Sequence, residues 1–113
     1  MSYDLTELRN LFAKCSKGIA AVGDITRQSI IIALMEGPFD GMRVGAITAK
    51  THLSRPAVSH HLKVLLDSEI VSVDKIGTMN FYYLNPDKAA ITNLLHLCQG
   101  ILAVMAAYDE ENS

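Results

Sequence analysis

The sequence predicts a single, mainly α-helical domain that carries one small β-hairpin. Three observations lead there. The chain has 113 residues, enough for one hydrophobic core and no more. Apolar residues recur at helical spacing along most of it. The period changes once, between residues 70 and 84, to β-branched and aromatic residues around a Gly-Thr turn. No internal repeat, low-complexity stretch or Pro/Gly-rich linker divides the chain, so residues 1–113 are read as one domain.

The first helix is read from Leu5, with Leu8, Leu11, Phe12, Cys15, Ile19 and Val22 as its apolar stripe. A second helix starts after Asp24, whose carboxylate is placed to accept the free amide protons of Thr26 or Arg27. It runs through Ile30, Ile31, Leu34 and Met35 until Gly37-Pro38, where glycine caps the end and proline cannot continue. After a loop with Asp40-Gly41, Val44–Lys50 forms a short helix with Val44 and Ile47 on one face. The turn Thr51-His52-Leu53 leads to Ser54, a second good N-cap, and Pro56 falls in the first turn, where its missing N–H costs nothing. The helix from about Arg55 to Asp67 is expected to bury Val58, Leu62, Leu65 and Leu66. Its other side carries Arg55, Ser59, His60 and Lys63, and the i, i+4, i+8 spacing of Arg55, Ser59 and Lys63 makes one exposed line. Strands are expected at Ile70–Ile76 and Met79–Leu84 around Gly77-Thr78. Asn85-Pro86 is read as N-cap and first-turn proline of a last helix with the stripe Ile91, Leu94, Leu95, Cys98, Ile101, Leu102 and Met105. The acidic tail Asp109-Glu110-Glu111 is expected to fray into solvent.

Half of the residues are hydrophobic and 19% are charged, with a mean hydropathy of +0.21. That is apolar for a small monomer and points to a face buried against another subunit. The net charge of −2 hides its distribution. Residues 1–40 carry four basic and five acidic side chains, and residues 67–113 carry two and seven. Between Met42 and Leu66 lie Arg43, Lys50, Arg55 and Lys63, three histidines and no acid. An acidic protein therefore has a purely basic middle.

Other classes are disfavoured. The uninterrupted apolar runs Ile30–Met35 and Ile101–Ala107 are too short to span a bilayer, so no membrane partner is expected. Met1–Arg9 is polar and mixed in charge, unlike a signal peptide. Two cysteines make no disulfide framework, which predicts a reduced, cytoplasmic protein. No Gly-rich phosphate loop, carboxylate pair or nucleophile–base signature appears, so an enzyme is not expected.

Two short helices joined by a tight turn, the second capped by serine and lined with basic and polar side chains, form a helix-turn-helix over about residues 44–67. The hairpin at about 70–84 makes it a winged one. A helix fits the major groove of B-DNA, where each base pair shows a distinct donor/acceptor pattern. Arg55 suits a bidentate bond to guanine, and Ser59 and His60 are short-range hydrogen-bonding groups. Lys50 and Lys63 suit phosphates, and Ser54 at the helix start completes the set. The alternative is a solvated helix face on a winged-helix module that dimerises or docks proteins without reading DNA. The absence of acids from the basic segment favours DNA.

Three segments carry a family resemblance. Val22-Gly23-Asp24-Ile25-Thr26-Arg27, followed by an apolar helix, resembles the "LADPTR" opening of the ArsR/SmtB family of bacterial repressors. The stretch Leu53-Ser54-Arg55-Pro56-Ala57-Val58-Ser59-His60-His61-Leu62-Lys63-Val64-Leu65 is close to that family's recognition helix, "LSQPTVSHHLKVL". Phe81-Tyr82-Tyr83-Leu84-Asn85-Pro86 resembles its "VYYRLNP" strand ending, less one residue. Together they cover about residues 19–86 in the right order. The resemblance implies a homodimeric winged helix that represses an operon from a palindromic DNA operator until a signal releases it. It also implies an interface formed by the first and last helices, at about residues 4–20 and 86–108. Two long apolar stripes at the chain's ends suit that arrangement.

Departures from the family pattern matter. Arg55 replaces the usual glutamine, which implies a different base sequence. His52 and Glu69 stand where relatives have turn glycines; if those sites need φ > 0, each costs about 1 kcal/mol. The wing, Asp74 to Asn80, carries one cation, Lys75, its best phosphate contact.

No cofactor is expected. One family metal site needs clustered cysteines on the helix before the recognition helix, and Arg43-Val44-Gly45-Ala46-Ile47-Thr48 has no such ligand. The other needs Asp-x-His and His-x-x-His/Glu, which Asp87-Lys88-Ala89 and His96-Leu97-Cys98-Gln99 both break. Cys15 and Cys98, on the two interface helices, have two readings: small packed apolar residues, or a thiol pair sensing a redox or sulfur-species inducer. Among the histidines, His60 is expected on DNA and His61 packed toward the core, about 100° apart around the helix. His52 is read as a turn residue, and His96 as solvated beside Thr92 and Gln99.

Overall fold

The computed structural model describes residues 4–111; Met1–Tyr3 and Asn112–Ser113 lie outside the described residues. The element order is α1 (Leu5–Val22), α2 (Ile25–Glu36), α3 (Val44–Thr51), α4 (Arg55–Asp67), β1 (Val71–Ile76), β2 (Met79–Leu84) and α5 (Ala89–Glu111). The mainly helical class with one hairpin is thus as expected.

The caps set the helix starts. The Asp24 carboxylate accepts the Arg27 amide at 3.0 Å, and Ser54 Oγ accepts the Ala57 amide at 3.2 Å. Both satisfy N–H groups that the first turn leaves without partners. α4 ends in a Schellman motif. Glu69 takes the left-handed conformation at φ 63°, while the Glu69 and Ile70 amides donate to the carbonyls of Leu66 and Leu65. His52 closes α3 with φ 60°. Both family glycine positions therefore do need φ > 0, and both are filled by residues that pay for it.

The core sits where α2, α3, α4 and the base of the hairpin meet. Ile30, Leu34, Met42, Ile47, Val58, Leu62, Leu65, Ile70 and Val71 form one buried cluster. Leu66, read as buried, is half-buried at its edge. β1 pairs antiparallel with β2, from Val71 opposite Leu84 to Ile76 opposite Met79. Val71 at the base is buried, and the tip is exposed. Unforeseen is a bridge from the α2–α3 connection to the hairpin: the Met42 and Tyr82 amides exchange hydrogen bonds with each other's carbonyls, both at 2.8 Å. Gly41 permits this approach. Its φ is 108°, and a Cβ there would come within 3.0 Å of the Tyr82 carbonyl oxygen.

Two boundaries of the last helix differ from expectation. It starts at Ala89 rather than at Pro86, because Asn85 is already committed elsewhere. Its amide donates to Ile70 O, its Nδ2 donates to Glu69 O and its Oδ1 accepts the Asp87 amide. The acidic end does not fray: the helix continues through Asp109 and Glu110 to Glu111. β1 begins at Val71, one residue after the expected Ile70.

α5 packs antiparallel along α1. Gly18 lies against Leu94, and the Leu8 side chain occupies the place a Cβ on Gly100 would need. Of the residues in α5, Leu97 alone is buried. Ile91, Leu95, Cys98, Leu102 and Met105, spaced alternately four and three apart, face outward. Leu95 is 54%, Leu102 63% and Met105 56% exposed. Leu5, Phe12 and Met105 line a shared groove of about 470 Å³, so this apolar face continues onto α1. By length and composition α5 could cross a membrane, with a mean hydropathy of 1.6 over its most apolar 18 residues. Short uninterrupted runs had concealed that. Its packing here is along α1.

Candidate nucleic-acid interface

The covered side of α4 determines what its other side presents. Val58, Leu62 and Leu65 close into the core, which turns Arg55, Ser59, His60 and Lys63 outward, all of them exposed. Ser54 stands at the head of the helix with its hydroxyl engaged as the cap. Lys50 on the last turn of α3 and Lys75 on the hairpin are exposed as well. The first six of these share the helix-turn-helix, while Lys75 is at the far end of β1, opposite Asn80.

A groove of about 640 Å³ separates the start of α3 from the wing, and its lining includes Arg43, Gly45, Arg55, Thr78 and Asn80. Arg55 leans across it: a Cβ on Gly45 would come within 3.3 Å of Arg55 Nη1. Arg43, Thr78 and Asn80 had been given no role by the sequence. The sequence places Arg43 in the acid-free block, but its position at this groove follows only from the fold, where it stands at the N-cap of α3 without a side-chain cap hydrogen bond.

The histidines divide as expected in position but not in partners. His60 is exposed and His61 half-buried, with their rings 5.4 Å apart in an edge-to-face arrangement. His61 does more than pack: its Nδ1 lies 3.2 Å from Nη1 of Arg27. Arg27 also donates to the carbonyls of Ala21 and Ala20, each at 3.1 Å. The Arg27 amide beside Asp24 is the main cause holding that carboxyl below its ordinary pKa, with the guanidinium charge adding to it and desolvation opposing. On the wing, the Tyr83 hydroxyl donates to Asp74 at 2.8 Å, which pushes the tyrosine pKa up.

Both cysteines are free thiols; Cys15 is buried and Cys98 is exposed on the outward face of α5. Among the described residues, no three His, Cys, Asp or Glu side chains gather in a way that could hold a metal ion. The donor sets of the two family metal sites do not fit this chain.

Residues 24–73, from the cap of α2 to the first strand, match the model of "Bacterial regulatory protein, arsR family". The transcriptional repressor SdpR of Bacillus subtilis is 35% identical over 65 residues, which cover 58% of this chain and 69% of SdpR. The chain belongs to the arsR family. It is a helix-turn-helix transcriptional regulator, and DNA binding is the family's function. The HTH-type transcriptional regulator Rv2034 of Mycobacterium tuberculosis is 41% identical over 66 residues, 58% of this chain and 59% of that protein. Among solved structures, NolR of Sinorhizobium fredii superposes with a TM-score of 0.64 at 25% identity, covering 88% of this chain and 98% of NolR.

Proposed function

We propose that this regulator is a cytoplasmic repressor that binds a palindromic operator as a homodimer and leaves it on a signal. The observation that carries the reading is the outward face of α4, where Arg55, Ser59, His60 and Lys63 are all exposed with no acid among them. Arg55 reads a base edge, assisted by Ser59 and His60; Lys50 and Lys63 hold phosphates beside the Ser54 end of the helix. Lys75 adds the wing's one cationic contact, and Arg43 joins the phosphate set from the groove.

Dimerisation through α1 and α5 is supported by the continuous outward apolar face of Leu5, Phe12, Leu95, Leu102 and Met105. Such a face is costly to leave in water and makes an isologous interface possible. Burial of Cys15 and placement of Cys98 within that face support packing roles for both. A thiol sensor would instead show operator release by oxidant or persulfide that Cys15→Ser or Cys98→Ser abolishes.

Selection of duplexes from a random pool tests the function. A palindromic preference is expected, with affinity falling about 0.9 log units per log unit of salt for each phosphate neutralised. Absent or salt-independent duplex binding would instead favour a winged-helix protein-interaction module.

A further inference from the structure

The last turn of α1 leaves four carbonyl groups without partners inside the helix. No basic residue of α1 stands there to meet them. The next segment closes them all. The Gly23 amide donates to Ile19 O at 2.9 Å, and Gln28 Nε2 donates to Val22 O at 2.7 Å. The two between, Ala20 O and Ala21 O, are taken by Nη2 and Nε of Arg27, each at 3.1 Å. Arg27 Nη2 is also 3.8 Å from Asp24, and the arginine side chain is only 14% exposed. The remaining arm, Nη1, reaches His61 on α4 at 3.2 Å. One planar group thus joins the end of α1, the start of α2 and the middle of the recognition helix.

A guanidinium has donors and no acceptor. The acceptor is therefore His61 Nδ1, and the ring carries its proton on Nε2. His60, on the exposed face, packs edge-to-face on that same ring at 5.4 Å. We propose that Arg27 is a positioning residue for DNA reading: through His61 it fixes the rotation of α4. The inference rests on the DNA-binding reading of α4. The charged and titratable groups facing His61 are Arg27 and Asp24 from α2 and His60 from its own helix; α1 contributes the carbonyls of Ala20 and Ala21 to the cluster.

Two measurements test this. Nitrogen-15 spectra of the imidazoles, without DNA, are expected to show His61 as the Nε2–H form at neutral pH, and a mixture in Arg27→Gln. A mixture in the wild-type protein overturns the clasp. Binding is then measured on the tightest duplex recovered from the random pool, with thermal unfolding run on every variant to confirm that it is folded. Arg27→Lys keeps the charge but cannot span the three acceptors, and is expected to raise Kd about tenfold. Its salt slope should equal that of the wild type; a slope smaller by about one means that Arg27 touches a phosphate, which overturns the positioning role. His61→Asn, whose carbonyl oxygen can still accept from Arg27 Nη1, is expected to bind within about twofold of the wild type, and His61→Leu, which removes the acceptor, about tenfold more weakly. Equal affinities of His61→Leu and the wild type overturn the proposal. If the wild type binds no duplex, it is the DNA-binding reading that falls, whereas a mixed His61 tautomer overturns the clasp alone.

Discussion

α4 and α5 are both amphipathic helices, and this protein treats them in opposite ways. α4 has 13 residues, and Val58, Leu62 and Leu65 of its apolar stripe are buried within one chain, with Leu66 half-buried at the edge. α5 has 23 residues, is more apolar, and buries Leu97 alone. The first has been completed by its own fold, so its polar face is free to meet something else. The second has been left incomplete, so its apolar face requires something else. One chain therefore carries one helix with a free polar face and another with an uncovered apolar face. Much of the chain's 50% hydrophobic content lies on the second helix rather than in a larger core.

Substitutions can break this contrast from either side. The largest effect is expected in the finished half: Leu65→Ala should cost about 2–5 kcal/mol in urea unfolding, because Leu65 is wholly buried and its neighbours cannot close the space. In the unfinished half, Leu95→Glu with Leu102→Glu should leave the chain folded but monomeric by sedimentation, and lower operator affinity about a hundredfold as the two half-sites are no longer read together. Dimers that persist in this variant would place the interface elsewhere.

On the outward face of α4, Arg55→Ala should relax specificity at one base pair by about 1–3 kcal/mol, while Lys63→Ala should weaken every duplex alike and reduce the salt slope by about one. A smaller effect concerns the cap of α2. Asp24 is held below its ordinary pKa in the folded chain, so its stabilisation is present above the unfolded value and is lost as pH falls through the folded one. Asp24→Asn should flatten that acid limb of the stability curve. The smallest effects are expected at the two left-handed turns: His52→Gly and Glu69→Gly should each stabilise by about 0.5 kcal/mol, since relief of the backbone is partly offset by a freer unfolded chain.

Much of this was legible in the sequence where the cause is local. Asp24, Ser54 and Pro56 mark helix starts by chemistry that acts within one turn, and the bounds of α4 follow from them. His52 and Glu69 stood out because the resembling family has turn glycines at those positions, and the structure gives both φ > 0. The illegible parts all depend on residues distant in the chain. Asn85 has the pattern of a helix cap, yet it is spent on Glu69 and Ile70 at the end of α4. Arg27 and His61 are 34 positions apart and belong to different periodic patterns. Arg43 has no local partner, and its place opposite the wing is set by how the hairpin is held.

That hold comes from the Met42–Tyr82 bridge. A two-stranded ribbon alone is marginal in water, but here Tyr82 of β2 is also bonded to Met42 on the body of the domain. The stretch beyond Val73 has no such support. The hairpin therefore changes character along its length: Tyr82 ties its root to the α2–α3 connection, while Thr78 and Asn80 at its tip form one wall of the groove beside Arg55.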